Sequence, residues 1–197
     1  EVAGRDITTY ATKLLAEDGI LLSSTSSERD IVNNIKETIF YVALDYQAEL
    51  RRPRADVRAS YTMPDGNVEH ATQARFMAPE ILFTPSLIGK DTSGVAKMVV
   101  DCLEQVEESQ KAALVSNILL VGGSSQFPGF APRMKADLMR LLPPSLRPNV
   151  VAPPNAQYFA WHGGALLGAD HPAFCDMCIS KAQYDEYGVA CLDRIRQ

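Results

Sequence analysis

No stretch of this sequence approaches the ~18 consecutive apolar residues that a membrane span requires, and no signal peptide is visible. Basic residues are outnumbered. Nineteen Lys and Arg against 24 Asp and Glu leave a formal charge of −5, so direct nucleic-acid binding is not expected. The one basic run, Arg51-Arg52-Pro53-Arg54, sits beside a turn and reads as a solvated loop. Four cysteines (Cys102, Cys175, Cys178, Cys191) are too few for a disulfide framework in 197 residues, which favours a reducing compartment. Repeats, low-complexity segments and flexible linkers are missing too. The first residue is Glu1 and not Met, as expected of a fragment or a processed product.

What remains is ordinary globular composition, 46% hydrophobic and 22% charged, with enough chain for a sizeable core in one domain or two small ones. Residues 6–17 read as a helix with Ile7, Tyr10, Ala11, Leu14 and Leu15 on one face and Gly19 as its stop. Thr25-Ser26-Ser27-Glu28 has the form of a capping box. The helix it opens carries Ile31, Val32, Ile35, Ile39 and Val42 at helical spacing, with Lys36 and Glu37 off the stripe. Residues 46–56 read as an exposed connection, and 60–68 onward as a hairpin around Pro64-Asp65-Gly66-Asn67. Pro79 suits the first turn of a short helix over 80–83. Ser93 is expected to cap a helix over 95–104, and 108–115 gives another. Further helices are expected around Met134–Leu142, over 158–167, and from Ile179-Ser180-Lys181 through Tyr187; residues 149–151 read as a short strand. The order is mixed α/β.

The most telling stretch is Ile118-Leu119-Leu120-Val121 running into Gly122-Gly123-Ser124-Ser125, with a helix pattern past Pro128-Gly129. Adjacent glycines let backbone approach a ligand, and successive N–H groups in such a turn can cup an anion. By itself a Gly-Gly after a strand is more often a tight turn. His171, Cys175, Cys178 and Cys191 have a spacing compatible with zinc, but a lone CxxC in a helical region reads as thiols, and no metal is expected.

Eleven short motifs, however, occur in one order: Ala3-Gly4-Arg5-Asp6, Ile35-Lys36-Glu37, Tyr41-Val42-Ala43-Leu44-Asp45, Pro64-Asp65-Gly66, Ala78-Pro79-Glu80, Pro85-Ser86-Leu87-Ile88-Gly89, Gly122-Gly123-Ser124, Pro128-Gly129, Ala152-Pro153-Pro154, Trp161-His162-Gly163-Gly164 and Ile179-Ser180-Lys181. Together they resemble the C-terminal half of actin and its close relatives, from end to end. The resemblance implies an α/β fold of the actin-like ATPase type, a ribonuclease H-like lobe with an inserted small subdomain, in a chain close to half the family's usual length. It implies a small outer subdomain over 1–90, an inner one over 91–157, and a C-terminal return into the first lobe over 158–197.

Carried over by resemblance, Lys36 and Glu37 meet adenine and ribose, Gly4 lies beside the nucleoside, and Gly122, Gly123 and Ser124 approach phosphates and sugar. Asn33 stands where the family has an arginine, Gln157 replaces a lysine, and Gln126 and Phe127 replace a methionine and a tyrosine. Lost cations weaken a polyanion site, and Phe127 keeps a stacking surface. The implied cofactor is ATP or ADP with magnesium, in a weakened or incomplete site. No catalytic residue is assigned: the phosphate loops and the metal- and water-positioning residues belong to the other half, so no ATP turnover is expected from this chain alone. Leu87, Ile88 and Lys90 fall in a loop that reaches between strands of an actin filament. Lys90 brings charge where an apolar residue is usual, Cys178 replaces a tryptophan, and the tail over 193–197 differs.

Two functions follow: an actin-like cytoskeletal subunit whose assembly depends on nucleotide, or a non-polymerising actin-related scaffold in a chromatin-remodelling or dynein-linked complex. Expected partners are the missing N-terminal half, other actin-like subunits and actin-binding or complex proteins, with no membrane. Expected locations are the cytoplasmic cytoskeleton or, for the scaffold, the nucleus. A phosphotransferase of the sugar-kinase branch shares the fold but not the 79–89 and 179–181 stretches.

Overall fold

Ile7, Ala11, Leu14 and Leu15 share one helical face, and in the computed structural model they are the buried side of α1 (Gly4–Glu17). The structure describes residues 2–22, 25–170 and 174–194. α2 (Ser26–Ile39) lies against α1 through Val32 and Ile35. Next come α3 (Tyr46–Leu50), an antiparallel hairpin of β1 (Ala59–Thr62) and β2 (Val68–Ala71), and α4 (Ala74–Glu80). A 3-10 turn at Pro85–Ile88 leads to α5 (Val95–Glu104) and α6 (Glu108–Val115). β3 (Ile118–Leu119), a 3-10 turn at Gly123–Gln126, α7 (Phe130–Leu141) and β4 (Val150–Val151) form a parallel crossover, with Ile118 opposite Val150.

The chain divides into two compact units, Glu1–Gln157 and Tyr158–Gln197. The second contains α8 (Phe159–Asp170), α9 (Phe174–Met177), α10 (Lys181–Tyr187) and a closing 3-10 segment. Ser180 Oγ accepts from Gln183 N–H at 3.2 Å while the Gln183 side chain accepts from Ser180 N–H at 2.8 Å, a reciprocal cap that fixes the start of α10. Among the described residues no helix is long and apolar enough to cross a membrane.

Within the first unit one hydrophobic cluster runs from Ile7 through Phe40, Ile81 and Leu103 to Leu142, so residues on both sides of position 90 share one core. A buried ion pair crosses it. Glu80 is 1% exposed, and Arg133 grips both of its oxygens at 2.8 and 2.9 Å. The same guanidinium donates to Ala43 O and to Asp137, and lies 4.7 Å from the centre of the Phe83 ring. Burial works against its charge, but Glu80 and then Asp137 outweigh that and hold it more firmly protonated than a free arginine.

Several local expectations are corrected. α2 ends at Ile39, because Phe40 turns extended; Val42 is buried outside the helix and donates its N–H to Pro128 O at 2.8 Å. The Thr25 hydroxyl bonds the Glu28 carboxylate rather than a backbone N–H. Part of the 46–56 connection is helical, started by Asp45 Oδ1 accepting from Ala48 N–H. Pro79 sits in the last turn of α4 and not at the start of a helix, since Phe76, Ala78 and Ile81 bury that face and place the helix earlier. Gly94, not Ser93, precedes α5.

Replacing Arg133 by alanine strands the Glu80 carboxylate in the core. A loss of about 3–5 kcal/mol in urea unfolding is expected. The double change Glu80→Leu with Arg133→Met should recover most of it, because it removes both charges together. Gly129 has φ 86°, and a Cβ there would run into the Val42 carbonyl. Gly129→Ala should therefore cost more than about 2 kcal/mol in the same assay.

Candidate functional site

The first turn of α1 is where the separated motifs meet. A Cβ on Gly4 would stand 3.3 Å from Ser124 Oγ, so this glycine allows the helix to begin against the 122–125 turn. One helical turn on, Thr8 Oγ1 lies 3.0 Å from Gly4 O and 2.7 Å from Asn33 Oδ1. Lys36 Nζ donates to Thr8 Oγ1 and to Asn33 Oδ1, both at 3.0 Å. Asn33 and Lys36, three residues apart, share one face of α2 and close a triangle with α1.

Lys36 is only 9% exposed, and its two acceptors are neutral. Burial pulls its pKa below the ordinary 10.5, and the charge of neighbouring Glu37 only partly offsets this. Glu37 itself points out to solvent. A cavity of about 410 Å³ opens in front of the triangle, lined by Gly4, Arg5, Thr8, Arg29, Asn33 and Lys36 with Ser26 and Asp30. Its chemistry is polar and cationic.

The glycine turn behaves as its sequence suggests. Gly122 has φ 92°, which a side chain would resist, and its N–H donates to Ala156 O at 3.1 Å. Ser125 Oγ folds back onto Gly122 O at 2.8 Å and receives the Gln126 amide at 3.1 Å. Gly123 is exposed and Ser124 half-buried, so this backbone is open to a ligand. The bond to Ala156 brings the exposed Gln157 next to the turn. Phe127 is different: its ring is buried in the main core. A second cavity, of about 380 Å³ and mostly apolar, lies on the other side of Ser124 and Ser125, between Leu82, Met98, Leu119 and Phe130.

A family model described as Actin matches residues 1–197. The chain belongs to the actin family. Its mixed helices and strands are those of an actin-like α/β fold.

In this actin-family chain Leu87 and Ile88 lie on the 3-10 turn at Pro85–Ile88, with Leu87 exposed and Ile88 packed against the core. Lys90 follows the left-handed Gly89 and forms an ion pair with Asp6 at 2.9 Å. Asp6 also accepts from Ala3 N–H. Its carboxyl is held below the usual range by the Lys90 hydrogen bond first and the Ala3 bond second. The zinc spacing cannot be followed, because His171 and the Cys175 side chain lie outside the described residues, as does the tail from 195. Among the described residues no cluster of His, Cys, Asp or Glu is arranged to hold a metal. Cys178 is exposed, and the Cys191 thiol donates to Gly188 O.

Sequence reasoning missed Thr8, Arg5 and Arg29. The signal was present: Gly4 and Thr8 are four apart on α1, and Arg29, Asn33 and Lys36 fall at successive turns of one face of α2.

The buried ammonium yields a pH test. Lys36 binds its proton less firmly in the folded chain than in the unfolded one, so its contribution to stability rises as pH climbs through the interval from its folded pKa to 10.5. Native protein should gain stability over that range relative to Lys36→Met. The difference between the two pH profiles cancels the shared titrations.

Proposed function

We propose that this chain supplies one wall of an adenine-nucleotide cleft, with the opposing wall contributed by a second lobe, in an actin-like assembly subunit. The observation that carries the reading is the meeting of Gly4, Lys36 and the Gly122–Ser124 turn around the first turn of α1. On this reading Lys36 and Glu37 address the nucleoside, while the open backbone at Gly123 and Ser124 approaches sugar and phosphates. Phe127 backs the turn from the core. Gln126 and Gln157 offer amides where charge would be stronger, and the buried charge of Lys36 compensates for part of that.

A single wall suits binding and not turnover. Displacement at a γ-phosphate needs donors on both sides of the reacting oxygens together with magnesium, and the phosphate loops and metal-positioning residues of the family do not match any part of this chain. The sheet supports the need for a second lobe. Parallel strands are ordinarily covered on both faces, yet Leu119 and Val151 of the two-residue pair are 55% and 44% exposed, and Val121 just beyond β3 is 52% exposed. Subdomain boundaries at 90 and 157, filament contacts through Leu87 and Ile88, and residence in the cytoplasmic cytoskeleton belong to the same proposal.

The scaffold reading is favoured by one specific observation. Lys90, in the loop expected to reach a neighbouring subunit, is drawn back to Asp6. Pelleting of the assembled protein with magnesium and ATP separates the two: sedimentation supports the filament subunit, and a soluble complex with fixed partners supports the scaffold.

Calorimetric titration tests the cleft. Magnesium–ATP should bind weakly to the chain alone, without hydrolysis, and more tightly once the chain is joined to the first half of an actin. Lys36→Met should weaken both by roughly tenfold. Equal affinity for native and variant protein, or no binding in either form, would overturn the reading.

A further inference from the structure

The side-chain amide of Asn33 has only its donor half left for a ligand. Lys36 Nζ lies 3.0 Å from it and carries nothing but donors, so the amide oxygen and not the nitrogen must face the ammonium. The Thr8 hydroxyl takes the second lone pair of that oxygen at 2.7 Å, a closer contact than its 3.0 Å to Gly4 O. With both lone pairs engaged, Asn33 can offer a ligand only the two hydrogens of its NH2 group. Among the described residues nothing else bonds that group. Lys36 is in the same position: two of its three protons go to Thr8 and Asn33, and the one left over is again a donor.

Both residues line the cavity of about 410 Å³ between α1 and α2, so the groups held in place on this wall are donors only. That polarity distinguishes one purine from another. The N7 edge of adenine presents an acceptor beside the donor N6–H2, and an asparagine reads it by using its oxygen and its nitrogen together. Asn33 cannot do so with its oxygen occupied. A 6-oxopurine presents N7 and O6 on the same edge, two adjacent acceptors. Its N1 also carries a hydrogen that adenine N1 lacks. Asp30, exposed one turn before Asn33 on α2, is the one carboxylate in the cavity lining and an acceptor for that hydrogen. Fixed donors set against an amino group leave donors unpaired on both sides, which is where hydrogen-bonding sites discriminate most strongly.

Resting on the assignment of this wall to the nucleoside side of a cleft, we infer that it takes a 6-oxopurine nucleotide, one carrying hypoxanthine or guanine, in preference to ATP. Asn33 is the residue that determines this specificity, and Lys36 and Thr8 hold its amide in the donor orientation. The property is particular to this chain, because Asn33 stands where the family has an arginine.

The test is calorimetric titration of the 197-residue chain with the magnesium complexes of inosine triphosphate and ATP, which differ only at N1 and position 6 of the base. Inosine triphosphate should bind roughly tenfold more tightly. Asn33→Asp supplies an acceptor beyond the one that Lys36 occupies, so it should move the ratio of the two affinities roughly tenfold toward ATP. The ratio cancels the added negative charge, which repels both triphosphates equally, and a merely structural role for Asn33 would leave it unchanged. Circular dichroism checks that the variant is folded, and the comparison on native protein stands without it. Inosine triphosphate bound less than about twofold more tightly than ATP overturns the inference and leaves the cleft itself intact. So does a ratio that folded Asn33→Asp protein leaves within about twofold of the native one. Binding of neither triphosphate overturns both.

Discussion

The first unit depends on one buried pairing of charge. Glu80 ends α4 and Arg133 lies in α7, 53 residues apart, and neither side chain is tolerable in the core without the other. Their bidentate contact ties α7 to the end of α4. The remaining guanidinium protons reach Ala43 O and Asp137, and its face covers Phe83. Such a pair adds little net stability compared with apolar residues of the same volume, because desolvation offsets most of the attraction. Its effect is on register. Only one arrangement of the two helices satisfies all five contacts, whereas the apolar cluster around Ile81 and Met134 would accept small slides.

That register positions the candidate site. The Gly129 approach to Val42 and the Val42 N–H bond to Pro128 O lock the segment before α7 onto the strand-like stretch after α2. The glycine turn comes immediately before this lock, and Asn33 and Lys36 lie immediately before the partner stretch. Two parts of the site that are nearly 90 residues apart in sequence are thus tied by one backbone contact close to both. α1 completes the link, because the absent side chain of Gly4 lets its first turn rest on Ser124 while Thr8 holds Lys36. Packing determines the placement, and polar bonds determine the direction of each group.

Long, strongly periodic elements were legible from sequence: α1, α5, α6 and α10 begin and end within a residue or two of expectation, α7 begins four residues before the expected Met134, and the hairpin follows from Pro64-Asp65-Gly66-Asn67. Failures cluster where tertiary contacts override local pattern. Val42 fits the helical stripe of α2, yet a carbonyl from Pro128 claims its N–H and the chain is extended there. Pro79 is a good helix starter in isolation, but burial of Phe76 and Ala78 moves the helix ahead of it. In the site, Lys36 was identifiable only by likeness to a family, since charged residues off an apolar stripe are normally solvated. Of its two neutral partners, Asn33 came by the same likeness and Thr8 did not. Thr8 and Arg5 reach the cavity from another helix, and no local pattern in α2 indicates them.

The first turn of α1 also holds Asp6, and through it the loop that carries Leu87 and Ile88. Gly4, Asp6 and Thr8 thus connect the glycine turn, the Lys90 loop and the Lys36 triangle within five residues of one helix. Magnitude decides what this can do. The Lys90–Asp6 pair is about one-third exposed on both sides, so solvent screens it and it contributes no more than about 1 kcal/mol. An energy of that size shifts a two-state equilibrium by about fivefold. The bridge can therefore bias the position of the loop. A contact of this size cannot by itself act as a switch.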